Sequence, residues 1–325
     1  MIRSYFCEGG IVRCREQTAG HTLPPGTFWV DLLEPTPEED AFVDQLLDLD
    51  MPTREEMKEI EMTSRLYREG ASRYMTANVL VKADSEAPES SEITFILTGS
   101  RLVTLRFADP RPFTNFAAQI LRKNAEMNRD GAFVGLLEAI VDRQADILEK
   151  IGIELDGISG GIFSPPESGK RIEERQLKET LRAIGLRGDL IAKEREALVS
   201  LGRLITFAGQ EDFDAPRDNL LYPRLKPLGR DLHSLTEYAN FLSSKINFML
   251  DATLGFINIE QNAIIKIFSV AAVVFLPPTL VASIYGMNLK LYPDATWAHG
   301  FEFAIFLMIL SALLPYWFFK RKGWL

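Results

Sequence analysis

Charge almost vanishes from this chain after Lys266, and the sequence to residue 319 is apolar apart from isolated exceptions. Few environments accept so long an apolar run. At ~1.5 Å rise per residue, the segment 267–285 nearly crosses a hydrocarbon core of ~30 Å. The segment 303–319 is slightly shorter, but Trp297, Tyr316, Trp317 and Trp324 suit the membrane–water interface as anchors. A buried helical hairpin in a soluble core is the alternative. Averaged over 325 residues, 46% hydrophobic and 25% charged would suit a soluble protein of one or two domains, so the average conceals how the two kinds are segregated.

Basic residues near the spans set orientation, because a cytoplasmic excess of Lys and Arg governs topology. Lys320, Arg321 and Lys322 follow the second span, whereas the intervening loop offers only Lys290. Both termini are therefore expected in the cytoplasm, the loop 286–300 outside, and the chain in an inner or plasma membrane with lipid around it. Arg3, Glu8 and Arg13 interrupt any N-terminal apolar core, so no cleavable signal peptide is expected. Cys7 and Cys14 are too few for a zinc cage or a disulfide framework and read as reduced strand cysteines.

Other chemistries find little support. The net charge of -9 argues against a nucleic-acid partner and suits an acidic cytoplasmic body that attracts cations. His21, His233 and His299 are too scattered for a metalloprotease motif. A glycine–lysine pair within 161–170 has the wrong spacing for a phosphate loop, and Arg171 stands where Ser or Thr would be needed. Neither an enzyme nor a nucleotide-driven pump is indicated.

Residues 1–130 read as a mixed α/β domain. Strands are expected at 2–7, 11–15, 28–32, 65–68, 73–81, 92–97 and 102–107. A helix is expected at 38–49 with Phe42, Leu46 and Leu49 on one side, and another at 52–62 opened by Pro52. Long, partly solvated helices follow at 113–127, 133–158 and 173–207 within a region reaching residue 266. Pro165, Pro166 and Gly169 mark one turn, and 209–217 is the next connection. From 227 a single helix of roughly 59 residues, ~88 Å long, should run into the first span. Gly229 and Gly255 each weaken it by about 1 kcal/mol, yet Leu235, Leu242, Ile246, Met249, Ala252, Phe256 and Ile259 continue the stripe through both. The last region, 267–325, holds the two spans.

One pair of spans cannot enclose an aqueous path, so copies must assemble around an axis. Phe268, Ala272, Leu276, Thr279, Ser283 and Gly286 recur at helical spacing on one stripe, which becomes small and polar toward its outer end. Such a stripe can line a pore, although close helix packing uses the same residue types. Pro277 and Pro278 remove two backbone donors in mid-span. Gly286 can supply the positive φ that a helix end often needs, and capping is the simpler role for it and for Asn288.

Tyr285-Gly286-Met287-Asn288 follows the first span. With Phe275-Leu276-Pro277, Thr279, the loop residues Tyr292, Pro293, Asp294 and Trp297 and the terminal Arg-Lys-Gly-Trp-Leu, it resembles the CorA family of magnesium channels. The match is specific over the C-terminal third. Pro278 and Ser283 depart from the usual pattern, in which one proline and often a glycine stand there.

The resemblance implies an α+β membrane protein: an N-terminal α/β cytoplasmic domain, a long stalk helix continuous with the first transmembrane helix, a second C-terminal span, and a homopentamer. It implies transport of hydrated Mg²⁺, with Co²⁺ and Ni²⁺ as further cargo, gated by intracellular Mg²⁺. Gly286, Met287 and Asn288 would form the selectivity entrance, where amide oxygens accept hydrogen bonds from waters that Mg²⁺ sheds reluctantly. Ala272, Leu276, Thr279 and Ser283 would line the pore. Phe268 and Leu276 would form apolar rings that block ions by dewetting, with Asn262 below them. Asp251 would help hold a regulatory Mg²⁺ between subunits, and Asp294 would shape the field of the external loop. A zinc transporter of the ZntB type is the nearest rival; those relatives usually replace the methionine, so Met287 favours magnesium. A membrane-tethered sensor or scaffold that conducts nothing is the rival from another class.

Overall fold

Seven strands form one mixed sheet in the N-terminal part of the chain: β1 (Ile2–Glu8), β2 (Ile11–Gln17), β3 (Thr27–Leu33), β4 (Leu66–Glu69), β5 (Ser72–Val81), β6 (Glu89–Thr98) and β7 (Arg101–Arg106). Their order is β2-β1-β3-β7-β6-β5-β4. Every pairing is antiparallel except β3 with β7, which lie parallel in mid-sheet. These elements belong to a computed structural model that describes residues 1–18, 20–85, 87–123, 126–163, 174–210, 221–287 and 299–323. It comprises two units, Met1–Arg171 with Glu179–Met249, and Ile172–Lys178 with Leu250–Leu325.

Local chemistry explains the strand connections. Gly9 and Gly10 both hold positive φ, 60° and 79°, the conformation a two-residue hairpin needs between right-twisted strands. Gly26 sits at φ 75°, and a Cβ there would lie 2.7 Å from the Cys7 carbonyl oxygen. Only glycine lets β1 approach that closely. Cys7 and Cys14 are free and lie on β1 and β2, as the sequence suggested.

Helices cover both sheet faces, so β3 is buried along nearly its whole length. On one face Ile2, Val30, Leu32, Tyr74, Ile96, Val103 and Leu105 form a core with Val43 and Met57. On the other, Trp29 and Phe95 meet Phe113, Phe116 and Phe133 at ring-centroid distances of 5.8–6.3 Å. That face also carries an internal ion pair. Arg106 donates to both oxygens of Asp31, at 2.9 and 2.8 Å, while Thr104 donates to Asp31 and accepts from the Trp29 indole.

Helix α1 (Pro37–Leu47) opens with a capping box, in which Thr36 accepts from the Glu39 amide and Glu39 accepts from the Thr36 amide. Left-handed Asp48 ends it, so Leu49 reaches the core from beyond the helix. Phe42 packs inward as expected, but Leu46 is exposed and Val43 is the buried residue. The single helix expected at 52–62 is instead two one-turn pieces, α2 (Arg54–Met57) and α3 (Met62–Arg65). Thr53 and Glu56 cap the first, and the Arg65 side chain takes the Glu59 carbonyl, holding the intervening residues out of a continuous helix.

Four longer helices follow: α4 (Arg111–Arg122), α5 (Arg129–Phe163), α6 (Glu174–Ala208) and α7 (Leu221–Tyr285); α8 (Gly300–Arg321) is the last. Helix α4 stops before residue 127. Helix α5 starts before residue 133 because Asn128 accepts from the Gly131 amide and caps its first turn. The turn at Pro165, Pro166 and Gly169 and most of the 209–217 connection lie outside the described residues. The α/β domain, the long α7 and the two apolar C-terminal helices match the expected fold class.

Candidate functional site

Helices α7 and α8 are long and apolar enough to cross a membrane, and only 6% of the apolar window of each is buried within the chain. A hairpin in a soluble core would be mostly buried. Open apolar surface on this scale requires an apolar solvent or further copies of the chain.

The apolar part of α7 has two unlike sides. Val270 is 5% exposed, and Val274, Pro277, Pro278 and Val281 are half-buried. Phe268 and Leu276 are 70% and 64% exposed, and Ala272, Thr279, Ser283 and Gly286 are exposed with them. Residues two apart on an α-helix differ by ~200° in direction, so the covered and open stripes face nearly opposite ways. All six residues expected on one stripe fall on the open side, which Phe275, Leu280 and Ile284 share. The covered stripe, spaced four, three and four, was equally visible in the sequence but lacked any polar change to mark it.

Pro277 and Pro278 leave the Val273 and Val274 carbonyls without helical donors. The helix nevertheless continues to Tyr285. Just beyond, the Thr279 hydroxyl donates back to the Phe275 and Leu276 carbonyls, 3.1 and 2.8 Å away. Its single proton is thereby turned to the backbone, and both of its oxygen lone pairs are left to accept from water.

At the helix end the glycine cap, the simpler alternative for Gly286, is not used. Gly286 does not hold positive φ; its amide donates to the Ala282 carbonyl at 2.9 Å and simply extends the helical pattern. A Cβ there would stand 3.1 Å from that same carbonyl oxygen, a tight contact. Met287 is exposed and its amide reaches the Ile284 carbonyl at 3.3 Å. Asn288, the other entrance residue, and Asp294, with Tyr292, Pro293, Trp297 and Trp324, lie outside the described residues.

Nearer the N-terminal end of α7, Leu242, Ile246 and Met249 are buried, Leu235, Ala252 and Phe256 are half-buried, and Ile259 is exposed. The apolar stripe therefore fades above Phe256. Thr253, fully buried, is a polar member that the apolar pattern missed. Asn262 and Asp251 are both exposed. Among the described residues no three His, Cys, Asp or Glu side chains gather into a metal cage, so Asp251 has no such companions within one chain.

Comparison with known proteins bears on this arrangement. Residues 25–321 match the family model described as CorA-like Mg2+ transporter protein. The chain is 30% identical to a magnesium transport protein CorA of Pasteurella multocida (strain Pm70), with 100% of both chains covered. It is 34% identical to a protein of that name from Salmonella typhimurium, over 91% of this chain and 92% of the other. Its fold is similar to the complete structure of the CorA magnesium transporter from Methanocaldococcus jannaschii, with a TM-score of 0.79, 15% identity and coverage of 100% and 99%.

Proposed function

Because the chain belongs to the CorA-like Mg²⁺ transporter family, we propose that it moves hydrated divalent cations, Mg²⁺ foremost, across a membrane through a pore built from several copies, five by resemblance. The observation that carries this reading is the open stripe on α7, apolar at Phe268 and Leu276 and small or polar from Thr279 to Gly286. Turned to a shared axis, that side places acceptor oxygens of Thr279 and Ser283 along a water path, with Gly286, Met287 and Asn288 at its mouth. Ala272 widens the path between the apolar rings, and Asn262 stands below Phe268. Asp294 would raise the local cation concentration outside.

In this reading residues 1–130 form the cytoplasmic α/β domain, 131–266 the long-helix region and 267–325 the membrane domain, with both termini inside and 286–300 outside. Purified full-length chain in liposomes should admit Mg²⁺ down an inward gradient, with Co²⁺ and Ni²⁺ also entering. Preference for Zn²⁺ over Mg²⁺ would instead support the zinc-transporter reading, and no flux of any metal the scaffold reading.

Intracellular Mg²⁺ as regulator is the finer part of the proposal. One exposed carboxylate does not make a metal site, and the described residues of a single chain do not complete one at Asp251. Asp251 fits only as one ligand group of a site shared with a neighbouring subunit. Coupling between such a site and the pore is limited by the difference in metal affinity between closed and open states, typically ~1–3 kcal/mol or about 5- to 150-fold in the equilibrium. Asp251→Ala should accordingly shift inhibition to higher internal Mg²⁺ and leave external block unchanged. Patch recordings titrating internal Mg²⁺ check this; an unchanged curve would make Asp251 a solvated helix residue and nothing more.

A further inference from the structure

Midway along α6, Glu194 is 0% exposed, with Leu190, Ile191, Ala197 and Leu198 of the same helix buried around it. From α5, the buried Gln144 faces it. With its amide nitrogen turned to the carboxyl, Gln144 donates to both oxygens, at 2.7 and 2.9 Å. Among the described residues no ion pair reaches Glu194.

Several charged groups on the elements packed here are held by partners other than Glu194. On α5, Arg143 and Lys150 donate to Asp84 of the β5–β6 connection at 2.7 and 2.9 Å, and Glu154 pairs with Arg187 of α6 at 2.5 Å. On α6, Lys193 bonds the Pro88 carbonyl and Asp189, and Glu196 takes the Asn78 amide of β5. On α7, Lys245 pairs with Asp156. Burial pushes the Glu194 carboxyl up to about 8, against a weaker opposing pull from Arg143.

We propose that Glu194 and Gln144 form a proton-sensitive latch between α5 and α6. One Gln144 terminal atom lies against both Glu194 oxygens: as the amide nitrogen it donates to the carboxylate, and with the amide turned over its oxygen accepts from a protonated carboxyl, so the neutral pair keeps a hydrogen bond and buries no charge. An ionised carboxyl is acceptor-only and leaves a buried charge facing one amide. The latch adds to the transport reading but rests on the geometry of this unit alone.

The sign follows from linkage. Between an ordinary carboxyl value of 4.5 and about 8, the folded chain keeps a proton that an opened chain releases. The contribution is fully present below the lower value and is lost as pH rises through the upper one. Rising pH therefore loosens the α5–α6 contact.

Hydrogen exchange on the full-length chain in detergent tests this. Once corrected for base-catalysed intrinsic exchange, the opening constant of amides near Gln144 and Glu194 should rise up to about 10-fold per pH unit below about pH 8 and level off above it. Glu194→Gln should abolish the slope, whereas Glu149→Gln, an exposed acid on α5, should keep it. A slope that persists in Glu194→Gln, or is absent from the unmodified chain, overturns the latch. Should Glu194→Gln fail to fold, infrared spectra of the unmodified chain decide instead: a buried protonated carboxyl band near neutral pH that disappears above about pH 9 supports the proposal, and no such band refutes it.

Discussion

Alanine in place of Asn288 should lower Mg²⁺ uptake into liposomes about 10- to 150-fold and erase its selectivity, with expression and assembly unchanged. Mg²⁺ dehydrates reluctantly and arrives with several waters in place. An entrance that recognises the hydrated ion must offer oxygens that accept hydrogen bonds from those polarised waters. Hydrogen bonds involving charged groups contribute ~1.5–3 kcal/mol each, and every ~1.4 kcal/mol is tenfold in occupancy. Alanine removes the carboxamide at a position past the end of α7 at Tyr285, where Gly286 and Met287 are already exposed. Cobalt hexaammine, which mimics the hydrated ion, should block the unmodified protein from outside and act more weakly on the variant. Wild-type flux and selectivity after the substitution would reject the entrance role of Asn288.

Removing the Arg106 side chain should cost the folded N-terminal unit about 3–5 kcal/mol, the range for breaking a buried ion pair at one end. Asp31 and Arg106 are 1% and 2% exposed at their side chains. Arg106→Ala would leave the Asp31 carboxylate buried with Thr104 as its remaining side-chain donor. It would also empty the space over Phe113, whose ring lies 4.6 Å from the guanidinium carbon. At roughly 2–4 °C per kcal/mol for a unit of this size, thermal unfolding should shift down by about 6–20 °C. Replacing both partners with apolar residues, Asp31→Leu with Arg106→Met, should recover most of the loss, since no unpaired charge then remains. A single-variant loss below about 1 kcal/mol would show that water reaches Asp31 and that the pair is not sealed.

The membrane segments were legible because a bilayer imposes its demand on composition directly: an apolar run must be long and nearly uncharged, whatever surrounds it. Strand positions were legible for a similar local reason, and each expected strand falls on or within two or three residues of an observed one. The helix expected at 52–62 failed because helical spacing does not reveal competing local bonds. Thr53 and Glu56 open a helix that stops at Met57, and beyond it Arg65 donates to the Glu59 carbonyl. The left-handed cap that was the simpler alternative at Gly286 is not formed, because a backbone that keeps helical hydrogen bonding has no need of it.

From sequence alone came the apolar spans, the long α7, the stripe from Phe268 to Gly286 and the motif that places the chain in its family, all set by neighbours a few residues away. Tertiary structure alone decided which long-range partners meet. It paired Asp31 with Arg106 across parallel strands and sealed Glu194 against Gln144 of another helix. It also covered Val270 while leaving Phe268 open. Each outcome turns on whether a polar or apolar group loses its water, and that depends on segments distant in sequence, where helical and strand periodicity carry no information.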